Sequence, residues 1–319
     1  MRAFIFPGQG SQSVGMGKAL AVASSVAREV FQEVDDALGQ HLFKLMSEGP
    51  EDQLTLTENA QPAIMTNAIA TLRVLTREGG VTLSGKADYV AGHSLGEYSA
   101  LCAAEALDLS TTARLLKLRG RAMQAAVPVG EGAMAALLGA DVEKAQVIAG
   151  AAVDSILAEG GAELVCTVAN DNDPSQVVIS GHRVAVERAV ALAKEMGAKR
   201  AVLLPVSAPF HCPLMEDAAR AMEAALADAD LRAPLVPVFA NVDAAAVADP
   251  GAIRALLVEQ VTGRVRWRES VLAMVAAGVT EFVEFGGKVL SPMVKRIAPD
   301  AEATSVVSMD DIEALLKKM

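Results

Sequence analysis

Aromatic residues and cysteine are scarce in this chain of 319 residues. Tryptophan occurs once, tyrosine twice and phenylalanine eight times, so aromatic side chains make up only 3% of the sequence. Smaller aliphatic side chains must therefore fill the core, which suits helices packed on a parallel sheet. The three cysteines, Cys102, Cys166 and Cys212, form neither a disulfide framework nor a metal-ligand spacing. The four histidines form no zinc-binding motif either.

Long apolar runs and positive charge are also in short supply. No uninterrupted apolar stretch reaches the roughly 18 residues of a membrane-spanning helix, although 52% of the residues are hydrophobic. Residues 1–7 are expected to form a first strand rather than a signal peptide, and the cytoplasm is the expected location. The net charge of −11 argues against nucleic acid as the main ligand, so neither nucleic acid nor a membrane is an expected partner.

Strands and helices alternate at both ends of the chain, the pattern of a parallel sheet covered by helices. The sequence predicts strands at 2–6, 87–91, 236–241 and 280–285, and helices at 18–38, 60–79, 110–127, 250–261 and 269–277. Ser110 is the expected N-cap of the helix at 110–127.

The middle of the chain changes to the order βαββαβ, a split-βαβ pattern. Its predicted strands and helices lie at 133–138, 141–152, 164–169, 177–180, 184–196 and 200–206. A predicted turn at 170–174 separates the two central strands and holds Asp171 and Asp173. Because strand–helix alternation resumes afterwards, we expect this unit to be an insertion. We therefore predict a small subdomain at 129–199 within a large α/β subdomain of residues 1–128 and 200–319.

The segment Gly92-His93-Ser94-Leu95-Gly96 lies between a predicted strand and a predicted helix. Glycines on both sides allow a sharp turn that lifts the serine hydroxyl clear of the sheet. The free N–H groups and the dipole of the following helix point at the same place. Ser94 is therefore a candidate nucleophile that accepts an acyl group. The alternative is a plain strand-to-helix turn in which the serine caps the helix.

A serine nucleophile needs a base, and His211 is the best candidate. It lies between Pro209 and Pro213 in a loop after a predicted strand, where open α/β sheets bind ligands. The alternative is a structural or solvated loop histidine. His93 adjoins Ser94, so its side chain is expected to point away and brace the turn. No acidic residue between 94 and 211 stands out as the orienting acid, which leaves a backbone carbonyl for that role.

Arg119 is the residue of the helix predicted at 110–127 that says most about the substrate. On a helical wheel it lies opposite the charged face and shares the apolar face with Leu115, Ala122 and Ala126. A guanidinium on an apolar face must find an anion, because an unpaired buried charge is costly. A substrate carboxylate held by two hydrogen bonds would serve. A structural ion pair, or a side chain that reaches out to solvent, is the alternative.

The glycine-containing loop Phe6–Gln12 follows the first predicted strand. It does not fit the dinucleotide-binding pattern G-x-G-x-x-G, because serine stands at residue 13. The loop is better suited to supply a backbone N–H that binds an oxyanion together with the N–H of Leu95.

Five ordered motifs together resemble those of the malonyl-CoA:acyl carrier protein transacylases. They are Phe6–Gln12, Gly92–Tyr98, Leu118-Arg119-Gly120, Ser207–His211, and Asn241-Val242 followed by Gln260. The resemblance extends from the first strand to Lys295-Arg296. It implies a hydrolase-like α/β core with an inserted ferredoxin-like subdomain. It also implies malonyl transfer from malonyl-CoA to the phosphopantetheine thiol of acyl carrier protein in fatty acid synthesis, with no metal or redox cofactor.

The same resemblance implies a role for each matching residue. Ser94 would be the nucleophile and His211 its base, with the imidazole oriented by the main-chain carbonyl of Gln260. The N–H groups of Gln9 and Leu95 would form the oxyanion hole.

At the substrate end of the site, the resemblance implies that Arg119 holds the malonyl carboxylate, with His93 and Gln9 nearby. Phe210 resembles the residue of malonyl-specific rather than methylmalonyl-specific acyltransferases.

Two other functions are alternatives. In a serine hydrolase, water would take the place of the thiol, and Arg119 argues against an enzyme for apolar esters. A binding module that kept the fold without catalysis would not need Ser94, His211 and Arg119 intact. Cys212 is a rival nucleophile, because it adjoins His211 and thiolates are strong nucleophiles.

Docking of the carrier protein is expected to be electrostatic. Acyl carrier proteins are acidic, so an enzyme of net negative charge needs a local positive patch to bind one. The candidate docking residues are Arg264, Arg266, Lys288, Lys295 and Arg296. The alternative is an ordinary solvated surface.

Overall fold

The structure, a computed structural model, describes residues 1–206 and 208–319. Within these residues the chain forms ten β-strands. They are Arg2–Phe6 (β1), Tyr89–Gly92 (β2), Gly132–Leu138 (β3), Cys166–Asp173 (β4), Gln176–His182 (β5), Arg200–Leu203 (β6), Val238–Ala240 (β7), Ala245–Val247 (β8), Glu281–Phe285 (β9) and Glu302–Val306 (β10).

Fifteen α-helices lie in the same described residues. The first eight are Lys18–Ala23 (α1), Ser25–Leu38 (α2), Leu42–Glu48 (α3), Glu51–Thr55 (α4), Thr57–Arg73 (α5), Leu83–Lys86 (α6), Leu95–Ala103 (α7) and Leu109–Ala125 (α8). The others are Val142–Ala158 (α9), Arg183–Ala193 (α10), Glu216–Asp228 (α11), Pro250–Thr262 (α12), Trp267–Ala276 (α13), Leu290–Ile297 (α14) and Met309–Lys318 (α15). None of the helices described here is long and apolar enough to cross a membrane.

The larger sheet has six strands in the order β10-β9-β1-β2-β7-β8. Strands β10 to β7 in this order run parallel, and β8 pairs antiparallel with β7 at the edge. Strand β1 is fully covered on both faces, because Phe4 and Phe6 pack into one core cluster while Ala3 and Ile5 pack into another with Trp267. Alternate residues of a strand face opposite sides, so β1 connects the two cores.

The smaller sheet has four antiparallel strands in the order β4-β5-β3-β6. Helices α9 and α10 cover it and share a separate core with its strands. The element order β3-α9-β4-β5-α10-β6 is the βαββαβ order that the sequence predicts. The chain thus has a parallel-sheet core and a separate antiparallel sheet, as predicted.

Strand β6 lies in this smaller sheet, where Ala135 pairs with Leu203. The predicted boundary at residue 199 therefore cuts off a strand that belongs to the small unit. The division of the chain into two subdomains otherwise stays a prediction. The smaller sheet contacts the larger part through β4, whose Asp171 N–H donates to the carbonyl of Val265.

Several predicted boundaries were wrong for identifiable reasons. The helix predicted at 18–38 is interrupted at Ser24, whose extended backbone and hydroxyl cap α2 by accepting the Ala27 N–H. The N-cap of α8 is Asp108 rather than Ser110, because the Asp108 carboxylate accepts the Thr111 N–H at 2.7 Å.

Other differences concern the length and number of elements. Strand β4 runs on to Asp173, so Asp171 and Asp173 lie in a strand and not in the predicted turn. Helix α5 starts at Thr57, earlier than predicted, and ends at Arg73, where a π-helix at Val74–Glu78 continues it almost to the predicted end. Helix α9 extends to Ala158. Strand β6 ends at Leu203 rather than at 206, and β7 is shorter than predicted. No helix was predicted for the segments that form α3, α4, α6, α11, α14 and α15.

Candidate active site

Ser94 occupies a strained turn between β2 and α7. Its backbone has φ 54° and ψ −114°, in a region that residues with a side chain seldom adopt. Its N–H donates to Asn241 Oδ1 at 2.7 Å, which stabilises this turn. A Cβ on Gly96 would lie 2.2 Å from the carbonyl oxygen of Phe6, so only glycine fits there. The sequence motif thus forms the predicted strand–turn–helix bend.

The side chain of His211 lies directly beside this serine. Nε2 of His211 is 2.7 Å from Ser94 Oγ, and Nδ1 is 2.8 Å from the main-chain oxygen of Gln260. A carbonyl oxygen can only accept a hydrogen bond, so we assign the imidazole proton to Nδ1. Nε2 then accepts a hydrogen bond from the serine hydroxyl. Burial and the charge of Arg119 lower the pKa of His211 to about 3, so its imidazole is neutral at physiological pH.

Arg119 projects from α8 to the same point and is buried, with only 1% of its surface exposed. Its Nη2 lies 3.2 Å from Ser94 Oγ and 2.9 Å from Gln260 Oε1, and its Nη1 donates to Gln61 Oε1 at 3.0 Å. Its guanidinium carbon lies 5.7 Å from the ring centroid of Tyr98. Within the described residues no carboxylate forms an ion pair with it, so neither a structural ion pair nor a solvent-reaching side chain accounts for it.

The side chain of Gln260 links these groups to a buried acid. Its Nε2 donates to the main-chain oxygen of Ser94 at 3.0 Å and to Glu97 Oε2 at 2.8 Å. The same Glu97 oxygen accepts the Asn241 N–H at 2.9 Å. Burial raises the pKa of Glu97 to about 7. Glu97 therefore lies one hydrogen-bonded side chain away from Arg119.

Two of these partners, Gln61 and Glu97, were not predicted from the sequence, and neither was Asn172 on β4, which contacts His93. A signal existed for Glu97, because it is the one charged residue in the buried helix α7. Gln61 and Asn172 carried no comparable signal, since each is one amide side chain among many in the sequence.

His93 points to the smaller sheet. Its Nε2 lies 2.8 Å from Asn172 Oδ1 on β4, as expected for a side chain that braces the turn and points away from Ser94. Burial lowers the pKa of its imidazole. His93 also borders the cavity in front of Ser94, where it is within reach of a substrate.

The two predicted oxyanion donors are unpaired. The N–H of Leu95 is the first of helix α7 and has no intrahelical acceptor, whereas the next two N–H groups bond to His93 and Ser94. Over residues 1–206 and 208–319, neither this N–H nor that of Gln9 has a hydrogen-bond acceptor.

A cavity of about 320 Å³ opens in front of these groups. Gln9, Ser94, Arg119 and His211 belong to its polar wall, and Phe210 belongs to its apolar wall. The rest of the apolar wall consists of Met123, Met134, Val178, Leu204, Pro205, Val206, Val289, Leu290 and Met293. Ser207, which belongs to one of the sequence motifs, lies outside the described residues.

Cys212 is poorly suited to the nucleophile's role. It is buried, its Sγ lies 3.1 Å from the carbonyl oxygen of Pro209, and burial raises the pKa of its thiol. A raised pKa disfavours the thiolate, which is the reactive form.

Four of the five candidate docking residues already have partners in the chain. Arg264 and Arg266 both pair with Glu269, and Arg296 pairs with the buried Asp173 at 2.8 Å. Lys295 donates to the main-chain oxygen of Ala301 at 2.7 Å.

Lys288 is the remaining candidate. It is exposed and has no ion pair or hydrogen bond with the rest of the described chain. The next residue, Val289, lines the cavity in front of Ser94, so Lys288 lies close to the cavity's rim.

The fold and this site agree with comparisons to known proteins. The acyl transferase domain family matches residues 3–287, nearly the whole chain, which places the protein among the acyl transferases. The malonyl CoA-acyl carrier protein transacylase of Bacillus subtilis (strain 168) is 44% identical over 318 residues, 99% of this chain and 96% of that protein. The chain therefore belongs to the family of malonyl CoA-acyl carrier protein transacylases.

Solved structures give the same result. An acyl-carrier-protein-S-malonyltransferase from Bartonella henselae is 52% identical with a TM-score of 0.94, covering 99% of this chain and 98% of that one. A malonyl-transacylase solved in complex with a type II PKS acyl-carrier protein is 38% identical with a TM-score of 0.93, covering 100% of this chain and 99% of that one.

Proposed function

We propose that this chain transfers the malonyl group of malonyl-CoA to the phosphopantetheine thiol of acyl carrier protein through a malonyl ester on Ser94. One observation carries the proposal. Ser94 Oγ lies 2.7 Å from the neutral base His211 and 3.2 Å from the buried guanidinium of Arg119. A nucleophile, a base and a cation at one point suit an acyl group that ends in a carboxylate.

In the first half-reaction, Ser94 Oγ attacks the thioester carbonyl while His211 Nε2 takes the hydroxyl proton. The new C–O bond forms, the C–S bond breaks, and His211 returns the proton to the departing CoA thiolate. In the second half-reaction, the carrier thiol gives its proton to His211 and attacks the ester. A C–S bond forms, the C–O bond breaks, and the proton returns to Ser94.

Both half-reactions pass through a tetrahedral intermediate with a negative oxygen. The N–H groups of Leu95 and Gln9 have no acceptor of their own in the described chain, and we assign them to this oxygen. The positive end of helix α7 lies at the same place. Preorganised donors of this kind are worth about 3–4 kcal/mol each in comparable sites.

Arg119 and Phe210 determine which acyl group the site accepts. The hydrogen-bond acceptors of Arg119 are all neutral oxygens, and its Nε has no partner within the described residues. A malonyl carboxylate would provide the missing negative charge. Phe210 and His93 border the same cavity and limit the space for substituents on the malonyl carbon.

Lys288 is the docking residue that we favour for acyl carrier protein. It lies next to the cavity-lining Val289, and it is the one candidate of the five whose charge is not used in an internal contact in the described chain. We retain Arg264, Arg266, Lys295 and Arg296 as secondary candidates. We propose fatty acid elongation as the pathway supplied, and the cytoplasmic location stays a prediction.

Mass spectrometry of the acyl-enzyme tests the proposal. After brief incubation with malonyl-CoA, the malonyl mass is expected on the peptide that carries Ser94, and it should leave when holo acyl carrier protein is added. Ser94→Ala should abolish labelling, and Cys212→Ala should leave it intact. A label that survives Ser94→Ala, or that water removes as fast as the carrier does, would contradict malonyl transfer and favour the cysteine or a hydrolase.

A further inference from the structure

Glu97 is a buried acid for which the reaction steps above have no use. Only 1% of its surface is exposed, and it lies in helix α7 three residues after Ser94. In the described chain, both hydrogen bonds of its carboxyl group end on the same oxygen, Oε2, one from the Asn241 N–H at 2.9 Å and one from Gln260 Nε2 at 2.8 Å. The Asn241 N–H belongs to the backbone, so it fixes the position of this oxygen.

The amide of Gln260 has a direction, which Glu97 fixes together with the main-chain oxygen of Ser94. Its oxygen accepts from Arg119 Nη2 at 2.9 Å, while its nitrogen donates to Glu97 and to the main-chain oxygen of Ser94. An amide turned by 180° would point its NH₂ group at the guanidinium and its oxygen at the carboxylate. Both contacts would be repulsive, because donor would face donor and acceptor would face acceptor.

The orientation of Gln260 in turn affects Arg119. Nη1 of the guanidinium donates to Gln61, Nη2 donates to Gln260 and contacts Ser94 Oγ, and the group borders the cavity. Loss of the Gln260 contact would leave a buried cation with one firm anchor. A shift of about 1 Å in a group that positions substrate is enough to cost up to about 100-fold in rate.

We propose that Glu97 is a positioning residue that fixes the Gln260 amide, and through it the Arg119 guanidinium, so that acyl groups with a free carboxylate are selected. This inference rests on the proposed function, because it concerns the same acyl group. It does not extend to the imidazole of His211, which is oriented by the main-chain oxygen of Gln260 in helix α12.

Two substitutions of Glu97 are expected to have different effects on malonyl transfer. Glu97→Gln keeps a carbonyl oxygen where Oε2 lies, so it retains both acceptor contacts and should keep malonyl kcat/KM within about threefold of wild type. Glu97→Ala removes the nearest acceptor of Gln260 Nε2 and loosens the amide, which keeps the main-chain oxygen of Ser94 at 3.0 Å. We expect a loss of about 10- to 100-fold in malonyl kcat/KM, with acetyl-CoA transfer changed by less than about threefold.

Ser99→Ala is the matched control in the same helix. Ser99 is also buried, and its hydroxyl has no partner in the described residues, so its removal should change neither substrate's rate. Melting temperatures of all variants show whether each remains folded. Glu97→Gln, which preserves the contacts, keeps the test decisive if Glu97→Ala does not fold.

The assay measures transfer of malonyl and acetyl groups from CoA by wild type, the Glu97 variants and Arg119→Ala. Selective loss of malonyl transfer in Glu97→Ala, with rescue by Glu97→Gln, would support the role. Equal loss on both substrates, no loss on either, or a Glu97→Gln variant as impaired as Glu97→Ala would overturn it. If Arg119→Ala leaves the ratio of malonyl to acetyl transfer unchanged, the proposed function is wrong. If Arg119→Ala changes this ratio but Glu97→Ala does not, only the inference about Glu97 is wrong.

Discussion

The main-chain oxygen of Gln260 lies 2.8 Å from Nδ1 of His211, at the position that a carboxylate takes in Ser-His-Asp enzymes. This carbonyl selects the tautomer with a proton on Nδ1, which keeps Nε2 ready to accept the hydroxyl proton of Ser94. A neutral carbonyl adds no negative charge to a buried site that already holds Arg119. Within the described residues the imidazole therefore hydrogen-bonds to no carboxylate that would raise its pKa.

The pH profile of acyl-enzyme formation should show this arrangement. Burial and Arg119 lower the pKa of His211 to about 3, and only the neutral imidazole acts as a base. The base is thus present above this pKa and lost as the pH falls through it. The rate of malonyl-Ser94 formation, measured by rapid quench, should stay level between about pH 8 and pH 5, well below the ordinary histidine pKa of about 6.5. An acid limb centred near pH 6.5 would contradict the buried, neutral base.

Gly96→Ala should destabilise the fold at the nucleophile turn. A Cβ there would meet the Phe6 carbonyl oxygen at 2.2 Å, and backbone has no easy way to move aside. We expect a loss of about 1–3 kcal/mol or more in the free energy of unfolding, measured in urea.

Gly150→Ala is the control for this substitution. Gly150 lies in helix α9, and its Cβ would meet nothing within 4 Å. The free energy of unfolding should rise by about 0.5–1 kcal/mol, because alanine favours the helix. Equal effects of the two substitutions would refute the close approach at Gly96.

Lys288→Glu should raise the KM for acyl carrier protein and leave the KM for malonyl-CoA unchanged. Reversal of an exposed charge near the cavity rim repels an acidic carrier without altering the site itself. Steady-state assays with each substrate varied in turn measure the two values. Equal changes for both substrates, or no change, would remove Lys288 from the docking surface.

Arg296→Glu provides a contrast, because Arg296 pairs with Asp173, whose side chain is fully buried on β4. Its reversal should lower the melting temperature by leaving a buried carboxylate unpaired. A variant with unchanged stability and a raised carrier KM would instead return Arg296 to the docking surface.

The local motifs of the site were predictable, because each has a physical signature within a few residues. Ser94 is marked by the flanking glycines, and Arg119 by a charge on an apolar helix face. The parallel core and the βαββαβ order also follow from hydrophobic patterns. Asp171 and Asp173 were misplaced, because four Asn and Asp residues before a proline indicate a turn. Their partners, Arg268 and Arg296, lie far along the chain and allow β4 to continue.

The network around Arg119 was less predictable, because long-range pairs of amide side chains leave no local pattern. The role of the Gln260 carbonyl was expected from the family resemblance alone. Nothing in the sequence indicated that the side chain of Gln260 contacts Arg119 and Glu97. Glu97 had a local signal, a lone charge in a buried helix, but its partner lies 163 residues away.

The ratio of malonyl to acetyl transfer in Arg119→Ala tests the central claim most directly. Acetyl-CoA lacks the carboxylate and would leave the guanidinium unpaired, so wild type should reject it. A charge-assisted contact in a buried site contributes about 2–5 kcal/mol, or roughly 30- to several-thousand-fold in kcat/KM. Arg119→Ala should therefore lose malonyl transfer by a factor in that range while acetyl transfer holds or rises, and Arg119→Lys should rescue only part of the loss. Equal slowing of malonyl and acetyl transfer would show that Arg119 is structural and contradict the assigned substrate.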